Sequence, residues 1–216
     1  MIHNLSQESS IINEYISELR DIHIQKDAMR FRYNLERIGE YIAFEISKKL
    51  NYKAINTTTP LGEATSNVLE SQPVLATILR AGLPMHNGLL RIFDKAQNAF
   101  VSAYRKHHKD STFEIAVEYL SSPLLENKTL ILSDPMLATG SSMVLTYQAL
   151  LKKGMPKHTH IVAVIASKQG VEYLKTHMPN QNYTLWIGAI DEELTAQSYI
   201  VPGLGDAGDL AYGEKS

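Results

Sequence analysis

Apolar positions recur at three- and four-residue intervals through the first fifty residues. Ile12, Tyr15, Ile16 and Leu19 share one face over 9–20, and Phe31, Leu35, Ile38 and Ile42 share one over 27–50. That period predicts two amphipathic helices, the second N-capped by Asp27. Their stripes suit packing on the body of the protein or, as terminal helices, on a second copy of the chain. Residues 62–70 read as a further short helix. From Pro73 the period changes. Short continuous apolar runs stand at 74–79, 99–103, 129–132, 161–166 and 183–187, with helical stretches at 84–94, 139–153 and 168–177.

Short β-rich runs that are apolar at nearly every position predict strands buried on both faces. Alternating with helices, they predict the α/β class: an open, mainly parallel sheet of about five strands flanked by helices. One domain accounts for the length, with N-terminal helices (1–60), an α/β core (61–190) and a C-terminal segment (191–216). Ligands of such sheets sit beyond the carboxyl ends of the strands, where loops turn into helices.

Composition narrows the chemistry. The chain has 216 residues, no cysteine and a net charge of −2 from 21 basic and 23 acidic residues. Disulfides, thiolate metal sites and a thiol nucleophile are excluded. The balanced charge argues against a nucleic-acid or anionic-membrane partner. No apolar run approaches the roughly 18 residues a spanning helix needs, and Met1–Ser10 is polar, without a signal-peptide core. The expectation is a cytoplasmic globular protein.

Three strand ends carry candidate chemistry. After 74–79 comes Arg80-Ala81-Gly82-Leu83-Pro84, with Pro84 suited to the first helical position. Arg80 there either binds an anion or caps the sheet. After 99–103 comes Tyr104-Arg105, then Lys106-His107-His108-Lys109. This cluster is either a phosphate contact or a solvated charge run. The adjacent histidines lack a third metal ligand. The stretch 106–118 reads as an excursion able to close over a site. After 129–132 comes Ser133-Asp134-Pro135-Met136-Leu137-Ala138-Thr139-Gly140-Ser141-Ser142. Amides and hydroxyls at the start of a helix hold a phosphate monoester, and an acid at the strand tip accepts hydrogen bonds from ribose hydroxyls. No Walker A motif is present.

Gly203-Leu-Gly-Asp-Ala-Gly208 matches G-x-G-x-x-G literally. Only eight residues follow it, too few for a helix, a second strand and a ribose-binding acid, so a dinucleotide site is rejected. A glycine-rich loop with Asp206 and Asp209 remains, preceded by an extended Tyr199-Ile200-Val201-Pro202. Its backbone groups suit the edge of a flat heterocycle. The alternative is a plain C-terminal tail.

Asp134–Ser142 (DPMLATGSS) resembles the phosphoribosyl-diphosphate loop of the type I phosphoribosyltransferases, in the wording of their uracil-directed members. Tyr199–Asp209 (YIVPGLGDAGD) is similar to the uracil-binding segment of those members. Ile78–Leu83 (ILRAGL) and Tyr104-Arg105 match their two diphosphate-side arginines, and the similarity spans roughly residues 60–213. The resemblance implies that uracil and phosphoribosyl diphosphate give UMP and diphosphate, in pyrimidine salvage. It implies that Arg80 and Arg105 contact the diphosphate and that Asp134 holds a ribose hydroxyl. It places Pro135, Met136 and Leu137 along the same substrate, with Ala138, Thr139, Gly140, Ser141 and Ser142 around the 5′-phosphate. Tyr199, Ile200, Gly205, Asp206 and Ala207 would read uracil, and Asp206 would also approach the magnesium–phosphoribosyl diphosphate complex. Arg105 and Asp206 are the catalytic candidates. Mg²⁺ enters mainly with the substrate, and the family pattern adds GTP as an effector and a homodimer or higher homo-oligomer.

The chain departs from that pattern at Ser141, where glycine is frequent, at Leu210, where arginine is frequent, and in the longer 106–118 excursion. Two alternatives remain open at this level: a nucleotide-sensing, RNA-binding relative that barely catalyses, and the same chemistry on orotate or a purine.

Overall fold

The structure, a computed structural model, describes the backbone of residues 1–107 and 113–214, and their side chains except at 103–117. β1 (Ile2–Asn4) leads through a 3₁₀ turn into α1 (Ile11–Arg20) and α2 (Ala28–Ser47). Asp27 caps α2 as predicted, its carboxylate accepting from the Met29 and Arg30 amides at 3.0 Å. α1 buries Ile12, Ile16 and Leu19, and α2 buries Phe31, Leu35, Ile38, Ile42 and Ile46. These are the i, i+3, i+4 positions of the sequence pattern.

There follow β2 (Tyr52–Thr59), β3 (Gly62–Leu69), β4 (Val74–Leu79), α3 (Leu83–Ile92), β5 (Gln97–His107), β6 (Phe113–Ser121), β7 (Thr129–Ser133), β8 (Met136–Leu137), α4 (Ser141–Leu151), β9 (His158–Ser167), α5 (Lys168–His177), β10 (Tyr183–Asp191), β11 (Glu193–Leu194), β12 (Ile200–Val201) and α6 (Ala207–Tyr212). The main sheet runs β1-β10-β9-β7-β4-β5-β6, with β8 on β9, and is parallel except for the β5–β6 pair. All five predicted strands are present, extended by β1 at one edge and β6 at the other.

Alternate residues of each central strand serve two cores. Leu75, Ile131, Val162 and Val164 pack under α1, α2 and α3. Val74, Ala76, Leu130, Leu132, Ile161 and Ala163 pack under α4 and α5. The sheet is thus covered on both faces, as the continuous apolar runs require. β4 and β7 are neighbours, yet the chain leaves β4 towards β5 and β7 towards β9. That reversal is the switch point where a crevice opens beyond the strand ends.

Several expectations are corrected. Residues 62–69 form β3, paired antiparallel with β2, so neither a helix at 62–70 nor a wholly helical 1–60 is present. The hairpin is exposed along most of its length, so no apolar period marks it, while its threonines favour strand. β5 continues through His107 against β6, which puts Arg105 inside a strand opposite Ile115 and not at a strand tip. The 106–118 excursion is therefore an antiparallel edge at 106–107 and 113–118, and its 108–112 part lies outside the described residues. Pro84 occupies the second helical position of α3, after Leu83.

Ile42→Ala, which empties the core side of α2 where Ile42 is fully buried, is expected to cost about 2–5 kcal/mol. Urea unfolding checks this: the midpoint falls while the slope stays unchanged.

Candidate active site

The crevice at the switch point is built from two loops distant in sequence. The first leaves β7. Ser133 ties the strand end to β4, its hydroxyl donating to the Ala76 carbonyl at 3.2 Å while its own carbonyl accepts from the Thr77 hydroxyl at 3.3 Å. Asp134 follows, held by its amide on the Val162 carbonyl and by its carboxylate on the Met136 amide. The Pro135 carbonyl accepts from the Val164 and Ile165 amides at 3.0 Å, and β8 then pairs with the end of β9.

Ser167, the last residue of β9, donates its hydroxyl to the Ala138 carbonyl at 2.6 Å and accepts from the Gly170 amide at 2.8 Å. One side chain therefore fixes the loop and caps α5. At Gly140 the backbone is left-handed, with φ of 83°. A Cβ there would stand 2.8 Å from Leu174 Cδ1, so both conformation and space call for glycine. α4 then starts at Ser141, pointing its first amides towards the crevice.

The second loop is the C-terminal segment. β12 pairs with β11, the Val201–Pro202 bond is cis, and Gly203 turns left-handed at φ 56°. An ion pair anchors that turn. Arg20 at the end of α1 makes two hydrogen bonds of 2.7 Å to Asp191 at the end of β10, and Arg20 donates to the Gly203 carbonyl at 2.8 Å. Asp191 also accepts from the Gly203 amide at 2.9 Å. Asp191 is 7% exposed and Arg20 23%, so water screens the pair weakly. Beyond the anchor, Leu204 and Ala207 are buried in the core, and Asp206 caps α6 by accepting from the Gly208 and Asp209 amides at 2.8 and 3.0 Å.

The two loops face each other across a cleft of about 170 Å³. Asp134, Met136, Leu137, Ala138, Thr139, Gly140 and Ser142 line one side, and Tyr199, Ile200, Gly205, Asp206 and Ala207 line the other. Ser141 and Pro135 belong to the loop but do not line the cleft. Ser141 hydrogen-bonds with Thr139, its hydroxyl accepting from the Thr139 hydroxyl at 3.2 Å.

Arg80 also stands outside the cleft lining. Its guanidinium reaches Asp209 at 3.3 Å and the Gly213 carbonyl at 3.0 Å, while its Nε is buried without a partner. The side chain of Arg105 lies outside the described residues. Leu210, where the related pattern often has arginine, packs against the core.

Electrostatically the cleft is not uniform. Burial pushes the Asp134 carboxyl up to about 7, the Asp206 charge adds to that rise, and the Met136 amide opposes it. Near neutral pH, Asp134 therefore shares one proton with solvent while Asp206 stands opposite. This arrangement favours a ligand rich in hydroxyl donors or one that brings positive charge.

Arg20, Ser167 and Asp191 were not singled out from the sequence. Asp191 had a signal: YTLWIGAID ends an apolar strand in an acid, just as LILSD does at Asp134. Arg20 had none, because its partner lies 171 residues away.

A sequence profile described as uracil phosphoribosyltransferase matches residues 6–214. Uracil phosphoribosyltransferase of Porphyromonas gingivalis is 58% identical over 98% of both chains. That of Pyrococcus furiosus is 36% identical, over 96% of this chain and 88% of its own length. Among solved structures, the AQ2163 protein of Aquifex aeolicus is similar with a TM-score of 0.86 and 28% identity, over 99% of this chain and 98% of its own. No helix among the described residues is long and apolar enough to cross a membrane. With the profile matching nearly end to end and the two loops meeting in one cleft, the chain belongs to the uracil phosphoribosyltransferase family.

Proposed function

We propose that this cleft transfers the phosphoribosyl group of 5-phospho-α-D-ribose 1-diphosphate to uracil, giving UMP and diphosphate. The observation that carries the reading is the meeting of Asp134–Ser142 with Tyr199–Ala207 across one cleft. The first loop offers phosphate donors at a helix start and an acid for the ribose. The second offers backbone groups for a flat base. In the transfer the C1–diphosphate bond breaks, a C1–N1 bond to uracil forms, and the N1 proton leaves to the departing diphosphate or to water. Holding both reactants in line supplies much of the rate, and no protein nucleophile is needed.

In this reading Ala138 to Ser142 hold the 5′-phosphate, with Pro135 to Leu137 shaping the loop beneath the sugar. Asp134 accepts from ribose hydroxyls, which favours its ionised form. In the same reading the diphosphate is assigned to Arg80 and Arg105. Diphosphate would compete for the Arg80 guanidinium with Asp209 and Gly213. Tyr199, Ile200, Gly205 and Ala207 read uracil, and Asp206 lies between base and sugar.

A magnesium ion carried on the diphosphate would, when bound, neutralise charge that develops on the leaving group. Asp134 and Asp206 are the residues that would hold it. They fit in number and chemistry, because both carboxylates line the same cleft, and Mg²⁺ is usually bound by one or two carboxylates plus substrate phosphates. The same reading includes a cytoplasmic location, assembly into a homo-oligomer and GTP as an effector. Assembly is supported by the exposed β2–β3 hairpin, since an isolated two-stranded hairpin is marginal in water. GTP rests on the family pattern alone.

Offering uracil, orotate and hypoxanthine side by side with Mg²⁺ and phosphoribosyl diphosphate tests the activity. Nucleotide is expected from uracil; none from uracil, or equal yields from all three, contradicts the reading. Asp206→Asn keeps an oxygen to cap α6 but removes the charge, and it is expected to lower turnover by about tenfold or more with little change in Tm. Arg20→Ala frees the Gly203 turn and is expected to raise KM for uracil by about tenfold. In steady-state kinetics KM for phosphoribosyl diphosphate should move much less, and Arg20→Lys should recover part of the loss.

Asp134 also predicts a pH effect on stability. Its folded pKa lies above its unfolded one, so between 3.8 and about 7 the folded state holds a proton that the unfolded chain has released. Its contribution to stability is therefore lost as pH rises through that window. Relative to the parent, Asp134→Asn should gain roughly 2–5 kcal/mol between pH 4 and pH 8, read by denaturant unfolding at both pH values.

A further inference from the structure

The opposite end of the sheet holds a second cavity, of about 350 Å³ against about 170 Å³ for the substrate cleft. It lies where β1, β7, β9 and β10 begin, beside the chain leaving α2. Its lining includes Lys49, Lys157, His3, His158, His160 and Trp186, and contains no Asp or Glu. A chain of net charge −2 thus gathers two ammonium groups and three imidazoles at one opening.

Hydrogen bonds settle which imidazole atoms are available. The Trp186 indole N–H, a donor only, donates to His160 Nδ1 at 3.1 Å. The neutral His160 ring must therefore carry its proton on Nε2. Burial holds His160 down to about 3, with His158 and His3 adding to the effect, so the ring stays neutral at physiological pH. His158 is engaged at both nitrogens, with Asn182 at 2.7 Å and Thr184 at 3.0 Å. His3 stacks on Trp186 with centroids 4.1 Å apart, and its Nε2 is buried with no partner. Burial and the Lys49 charge both lower the His3 pKa.

We infer that this cavity is an anion site for the phosphate group of a small molecule. Lys49 and Lys157 supply the charge, and His160 Nε2–H supplies a directed neutral donor. A phosphate dianion suits two flanking ammonium groups, and Glu45, whose charge reaches His3, lies outside the lining and is paired with Lys48. The site is separate from the substrate cleft: β9 runs from His158 to Ser167, and His160 stands roughly 20 Å from Ser167 at the phosphate loop.

Trp186 is the single tryptophan, so its emission reports this cavity. The experiment titrates the whole protein with inorganic phosphate at constant ionic strength and follows that emission. A saturable change is expected. Lys49→Gln with Lys157→Gln, both exposed positions, is expected to weaken it by about tenfold with Tm unchanged. A parallel titration with AMP separates two sources of the same group. Tighter binding than phosphate assigns the site to a nucleotide, and equal or weaker binding assigns it to free phosphate. No saturable change with either probe, or an affinity that the double variant leaves intact, overturns the inference.

Discussion

The Asp191 carboxylate joins three parts of the chain that are otherwise remote. One oxygen takes both Arg20 and the Gly203 amide, and the other takes Arg20 again. The end of the first helix, the end of an inner strand and the start of the base-side loop are thereby fixed to one another. Removing one partner of such a pair leaves a nearly buried charge uncompensated, which typically costs about 3–5 kcal/mol. The sheet supplies the phosphate-side loop on its own account, through β8 pairing with β9 and Ser167 holding Ala138. The base-side loop has only two-residue strands and a short helix. Its position over the switch point therefore depends on this node and on the burial of Leu204 and Ala207.

The two walls of the cleft differ in rigidity for the same reason. The phosphate-side wall grows directly from the ends of buried parallel strands, where backbone groups are already paired. The facing wall is placed by side chains acting over long sequence separations. Asp206 combines both modes, since it caps α6 and also sets the charge opposite Asp134. Arg80, gripped by Asp209 and Gly213, links the β4 end to the far end of the same C-terminal segment. Substrate charge arriving between these groups would redistribute contacts that the free protein makes with itself.

Much of this was legible in the sequence, for physical reasons that differ by element. Strands 74–79, 129–132 and 161–166 could be read because two covered faces select apolar residues at nearly every position, with Thr77 accommodated by its hydrogen bond to Ser133. The phosphate-side loop could be read because an acid at a strand end, a glycine and small hydroxylic residues at a helix start stand together within nine positions. The β2–β3 hairpin was misread because neither face is buried, which removes the period that reveals strands. Arg105 was placed at a strand tip because the polar run after Ala103 hides the continuation of β5 to His107 against the edge strand β6. The Arg20–Asp191 pair escaped because nothing local distinguishes an anchoring arginine from a solvated one.

The central claim is that two loops from different parts of the chain hold one nucleotide between them. A crystal structure of the protein with UMP tests it most directly. The account predicts the 5′-phosphate on the amides and hydroxyls of Ala138 to Ser142, the ribose at Asp134, and the uracil edge against the backbone of Ile200 to Ala207. A base bound away from the C-terminal loop, or a phosphate away from the start of α4, would contradict it.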